Sequence, residues 1–179
     1  MRIFAVLAVI LFHADFAYAD LVIDLDELAG DTVSIAISGS GTVDTGGGSN
    51  PGGVLDFLNF SDDPFTNAIP TTSTNFAVAG SLSFLLNGST IADVTTFRTQ
   101  RSTNSGSSDI DLIVTQSIAN GSTFSASGSG TVTGLLFSSL NPGTYFSIDG
   151  DSSDFGGVTL NITAAAAIPE PSSIWSLLG

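Results

Sequence analysis

The chain has no cysteine and no lysine, and its single histidine, His13, lies near the start of its 179 residues. Without cysteine there is no disulfide framework, no thiol nucleophile and no thiolate metal centre. Without lysine there is no Schiff-base chemistry, and no phosphate-cradling loop of the kind that ends in Gly-Lys. Basic charge is scarce in every form. Three arginines (Arg2, Arg98 and Arg101) face 17 acidic residues, giving a net charge of -14. A chain with this balance repels phosphate backbones and has no basic stripe to release counterions, so nucleic acid is excluded as a partner. Adsorption to an anionic membrane face is disfavoured for the same reason. No segment sustains a period of 3.6, so no long amphipathic helix is expected.

What is abundant is strand and turn chemistry. Leu21, Ile23 and Leu25 alternate with polar or smaller neighbours. The same period of two recurs at Val33, Ile35 and Ile37, at Leu82, Phe84 and Leu86, at Ile110, Leu112 and Val114, and at Val158, Leu160 and Ile162. Period two places each apolar set on one face of a sheet. Asn87-Gly88 and Asn120-Gly121 separate such runs and supply the positive φ angles of tight hairpins. Asp44 to Gly53, Asp62-Asp63-Pro64 and Asn104-Ser105-Gly106 read as loops. The 13 phenylalanines argue for a packed core over disorder. The expected fold is all-β, an antiparallel two-sheet sandwich of about eight to ten strands, with jelly-roll and immunoglobulin-like topologies both open. Ser-Gly-Ser-Gly-Thr-Val occurs at Ser38 to Val43 and again at Ser127 to Val132, and is read as shared sheet-edge chemistry.

Both ends read as addresses. Arg2, the short apolar run Ile3 to Phe12, and Ala17-Tyr18-Ala19 form the pattern of a secretory signal peptide. Small residues stand at Ala17 and Ala19, so cleavage is expected to leave Asp20 first. The apolar run is far short of the roughly 20 residues that span a bilayer. At the other end, Ala164 to Ile168 lead into Pro169-Glu170-Pro171, then Ser172-Ser173 and a new apolar run from Ile174. This resembles the sorting tail of PEP-CTERM proteins of Gram-negative bacteria. Leu140-Asn141-Pro142-Gly143-Thr144-Tyr145, followed by an acidic Gly-rich stretch and Val158 to Ile162, is similar to the last hairpin of that family, and Ser38 to Val43 is similar to its early Gly-Ser strand end. The resemblance implies processing by the membrane enzyme exosortase, with membrane contact only transient and through the tail. It departs from the family pattern in one respect. The chain stops eight residues after Pro171, without the full spanning helix or the basic cluster, as a fragment or a truncated form would. The implied division is 1–19 signal peptide, 20–163 sandwich domain, and 164–179 linker and partial sorting tail.

Removal of residues 1–19 would leave a protein with no His, Cys or Lys, which excludes His-based triads and ordinary zinc sites. Asp44-Thr45-Gly46 matches an aspartic-protease signature, but that chemistry needs a second copy and none exists. No carboxylate pair stands out for glycoside hydrolysis. Asp149, Asp151 and Asp154 alternate with Gly and Ser in a manner suited to a calcium loop, although the closing Glu of an EF-hand is missing. Asp24, Asp26 and Glu27 form a second acidic cluster. Arg98 and Arg101 are read as a solvated strand edge. The expectation is a non-enzymatic exported protein of the cell surface or extracellular matrix. Signal peptidase and exosortase are its processing partners, exopolysaccharide is a candidate partner, and no cofactor is expected, with calcium at the three aspartates as a candidate only. A carbohydrate- or calcium-binding adhesin is the alternative, and a carboxylate-based hydrolase is third.

Overall fold

Alternation becomes structure first in the hairpin of β1 (Asp20–Leu28) and β2 (Thr32–Thr42). Leu21, Ile23, Leu25, Val33, Ile35 and Ile37 all point into the core. The computed structural model describes residues 20–43, 49–50, 53–57, 60, 62–101, 108–147 and 157–166. Two short strands follow, β3 (Ser49–Asn50) and β4 (Val54–Phe57). A long hairpin joins β5 (Thr74–Leu86) to β6 (Thr90–Gln100). Its turn is Asn87-Gly88 with φ of 48° and 69°, the left-handed pair that a two-residue hairpin demands. Then come β7 (Asp109–Val114), β8 (Ile118–Ala119), β9 (Thr123–Leu136), a single 3-10 turn at Phe137–Ser139, β10 (Gly143–Phe146) and β11 (Gly157–Thr163).

Nine of these strands form one sheet in the order β10-β11-β1-β2-β9-β5-β6-β7-β4, and β3 pairs with β8. The chain is therefore nearly all β among the described residues. The sheet is mixed, because β1 and β11 run parallel, with Asp20 opposite Gly157 and Asp26 opposite Thr163. The other ladders are antiparallel. The expectation of a purely antiparallel arrangement is corrected at this one pair. Hairpins can build only antiparallel neighbours, whereas the first and last strands meet through the whole length of the chain.

A single sheet of this width has one apolar face, and it buries that face by curling. Residues from both ends of the strand order, such as Leu160 on β11 and Leu112 on β7, belong to one buried cluster. Two devices make the curl. Gly80 on β5 and Gly128 on β9 have φ of 150° and 119°, and a Cβ on Gly128 would stand 1.9 Å from the Ser81 carbonyl oxygen. Only glycine permits that backbone approach. The second device is a change of phase in β6. Ala92 and Val94 face inward, then Phe97 and Thr99 do, because the ladder to β7 shifts between Val94 and Thr96. A bulge of this kind adds local twist.

The repeated Ser-Gly-Ser-Gly-Thr-Val does not lie at a sheet edge. It occupies β2 and β9, the middle of the strand order, with Ser38 opposite Ser127 and the two copies running in opposite directions.

The outer side of β10 is taken up by the segment that follows β4. Phe60 bridges Ser147 and Phe65 bridges Leu140. The Thr66 N–H donates to the Ser139 carbonyl at 2.9 Å, and the Asn141 N–H donates to the Pro64 carbonyl at 2.9 Å. The chain leaving one edge strand thus covers the opposite edge strand, which protects it from pairing with other chains.

Candidate functional site

Two groups of polar side chains are held where β4, β6, β7 and β10 come together. The first is a clasp. Asn141 Nδ2 donates to the carbonyls of Asp63 and Phe65, each at 3.0 Å, and the Tyr145 hydroxyl donates back to the Asn141 carbonyl at 2.7 Å. Gly143 lies beneath the ring, where a Cβ would meet Tyr145 Oη at 3.1 Å. Burial raises the Tyr145 pKa, and Asp62 and Asp63 raise it further. Asn141-Pro142-Gly143-Thr144-Tyr145 is thus a structural lock, with Asn, Gly and Tyr each needed for a separate contact.

Asp63 joins this clasp to the β6–β7 connection. Its Oδ2 accepts from Arg101 Nε at 3.0 Å, and its Oδ1 accepts from Ser108 Oγ at 2.8 Å and from the Phe65 N–H at 3.0 Å. The reading of Arg101 as a solvated edge group is corrected, because it ties a loop to the body of the sheet. Arg98 is corrected as well. It stands on β6, between β5 and β7 in the strand order, and its Nε donates to Asp111 Oδ2.

Asp111 anchors the second group. Ile110, Leu112 and Val114 of β7 face the core, so Asp109 and Asp111 share the outer face. Asp111 is nevertheless only 2% exposed, and its Oδ1 is buried without a hydrogen-bond partner. Asp109 is raised to about 6, first by burial and then by the charge of Asp111, with Arg98 acting in the opposite direction. Across the sheet, Arg98 stands opposite Asp111 on one side and Asp56 of β4 stands opposite it on the other.

The residues singled out from the sequence fall differently. Asp20 is the first residue of β1. Ala17 and Ala19, Pro169, Glu170 and Pro171, and the calcium candidates Asp149, Asp151 and Asp154 lie outside the described residues, as does Asp44. The acidic run at β1 is divided by strand alternation. Asp24 Oδ1 accepts from Asn161 Nδ2 at 2.8 Å, while Glu27 Oε2 accepts from the Ala165 N–H at 2.9 Å and ties down the chain as it leaves β11. Among the described residues no three His, Cys, Asp or Glu side chains form a metal-holding group, and no helix is long and apolar enough to cross a membrane.

Sequence reasoning did not single out Asp56, Asp109 and Asp111. The alternation Asp109-Ile110-Asp111-Leu112 already puts both β7 acids on one face. Nothing local shows that a third acid lies across from them. Comparison with protein-family models, with curated proteins and with solved structures gives no match.

Proposed function

We propose that this chain is an exported, non-enzymatic structural protein of the cell surface or extracellular matrix, carried there by a signal peptide and a PEP-CTERM-type sorting tail. One observation carries the reading. Among the described residues the first strand already includes Asp20, the residue expected to follow signal cleavage, and the last strand ends at Thr163, where the Ala-rich lead to Pro169-Glu170-Pro171 starts. The two strands are parallel neighbours within the sheet, third and second in its order. A β1 still joined to a membrane-inserted signal segment would be tethered at its first paired residue. Release at Asp20 frees it to pair along its whole length.

Expression of the full chain in a Gram-negative host that has exosortase tests this. Mass spectrometry of exported protein should find Asp20 at the N-terminus. Changing Pro169, Glu170 and Pro171 to Ala should block tail processing while leaving folding intact, because two prolines hold the motif extended and apart from any following helix. Exported protein that retains Met1, or a variant processed as the parent is, would overturn the reading.

The finer fold assignment belongs to the same proposal. The wings β10-β11-β1-β2 and β5-β6-β7-β4 on either side of β9 act as the two layers of a sandwich that share one core. A carbohydrate-binding adhesin is the second reading, and one feature favours it. Ser38, Ser127 and Ser83 form one uncharged cross-strand row on the outer face, beside Ala36, Ser129 and Ser81. Binding on a glycan array that is lost when Ser127 and Ser129 become Glu would favour that reading over a purely structural role.

A further inference from the structure

We propose that Asn87, in the turn between β5 and β6, is a site of spontaneous deamidation, and that the fold spares its twin, Asn120. The two share one local sequence, Asn-Gly-Ser, at 87–89 and at 120–122. Asparagine before glycine is chemically labile, because glycine has no side chain to hinder its own backbone nitrogen from reaching the Asn carboxamide. Both Asn-Gly pairs are exposed. Both turns are closed by the same kind of bond, from the Ser89 N–H to the Leu86 carbonyl at 3.0 Å and from the Ser122 N–H to the Ala119 carbonyl at 3.1 Å. Gly88 and Gly121 have positive φ, 69° and 79°, with open space where a Cβ would stand.

The turns differ at the attacking nitrogen. The Gly121 N–H donates to the Val43 carbonyl at 2.8 Å, which fastens it just past the end of β2. The Gly88 N–H donates to none of the described residues. Asn87 is also prepared at its carbonyl. Its Oδ1 accepts from the Thr123 N–H at 3.0 Å and from Thr123 Oγ1 at 3.4 Å. Donors placed there stabilise the negative charge that builds on the oxygen during attack. Base removes the Gly88 amide proton, and the nitrogen bonds to Asn87 Cγ. The Cγ–Nδ2 bond breaks, and Nδ2 leaves as ammonia with a proton from water. Water then opens the cyclic imide at either carbonyl, leaving aspartate or isoaspartate at position 87. Both products lose the Nδ2 donor, which reaches Ser122 Oγ at 3.5 Å, and isoaspartate adds a carbon to the backbone of the turn. The side chain at 87 joins this hairpin tip to the start of β9, so the modification loosens that junction.

The test ages the full chain at mildly alkaline pH, native and in urea, and follows the conversion of amide to acid by peptide mass spectrometry. Trypsin cuts after Arg98 and Arg101, which puts the two sites on separate peptides. In the native chain conversion at Asn87 should outrun that at Asn120 by ~10-fold or more, the rate equivalent of the hydrogen bond that Gly121 must first give up. In urea the two should convert at like rates, since their local sequences are the same. Gly88→Ala, whose Cβ enters open space, should slow conversion at Asn87 and leave Asn120 unchanged. Three results would overturn the proposal: a native Asn87 that stays intact while both sites convert in urea, a native ratio of the two rates no greater than the ratio in urea, or a Gly88→Ala chain that converts at position 87 as fast as the parent.

Discussion

Asp109→Asn isolates the electrostatic cost of the outer-face carboxylates. The Asp109 carboxyl is raised from 3.8 to about 6, mainly by burial and next by the charge of Asp111. Between those values the folded state holds a proton that the unfolded state has lost. Stability therefore falls as pH rises from about 4 to about 6, and the cost is complete above that. A difference of this size corresponds to at most ~3 kcal/mol, at ~1.4 kcal/mol per decade. Solvent reaches the carboxyl, and screening reduces the effect to on the order of 1 kcal/mol. Asparagine keeps the shape and never acquires the charge. In chelator at pH 7.5, Asp109→Asn should be the more stable protein by ~1 kcal/mol, a Tm increase of about 3 °C for a domain of this size. At pH 4 the two proteins should melt together. Melting curves of both proteins at the two pH values provide the assay. A gap that is the same at pH 4 and pH 7.5, or a variant less stable than the parent in chelator, would refute the reasoning.

Two further outcomes probe the curl and the clasp. Gly128→Ala puts a Cβ 1.9 Å from the Ser81 carbonyl oxygen and 2.9 Å from Leu82 Cα at a φ of 119°; no flexible side-chain end can yield, so a loss above ~4 kcal/mol and insoluble expression are expected. Gly88→Ala, with open space around its Cβ, should cost only ~1–2 kcal/mol for its left-handed backbone, and equal losses from the two would discount the close approach. Tyr145→Phe removes the 2.7 Å bond to the Asn141 carbonyl and should lower the urea-unfolding free energy by ~1 kcal/mol, whereas an unchanged midpoint would mean the clasp contributes nothing.

What the sequence determined by itself was local. Alternation from Leu21 to Leu25, from Ile110 to Val114 and from Val158 to Ile162 set which side chains are buried, and Asn87-Gly88 set a hairpin turn. These hold because a strand turns its side chains with period two whatever lies beside it. The shortage of basic residues and the lack of any Cys were equally legible, and they removed whole classes of chemistry. The tertiary structure decided who stands next to whom. The parallel pairing of β1 with β11 joins residues more than a hundred positions apart. The central placing of the two Gly-Ser repeats, the engagement of Arg98 by Asp111, and the facing of Asp56 and Asp111 all follow from register between strands distant in the chain. No local pattern encodes that register. It is fixed when the curled sheet closes over a single core, because slipping any strand by one residue would turn its apolar face to water.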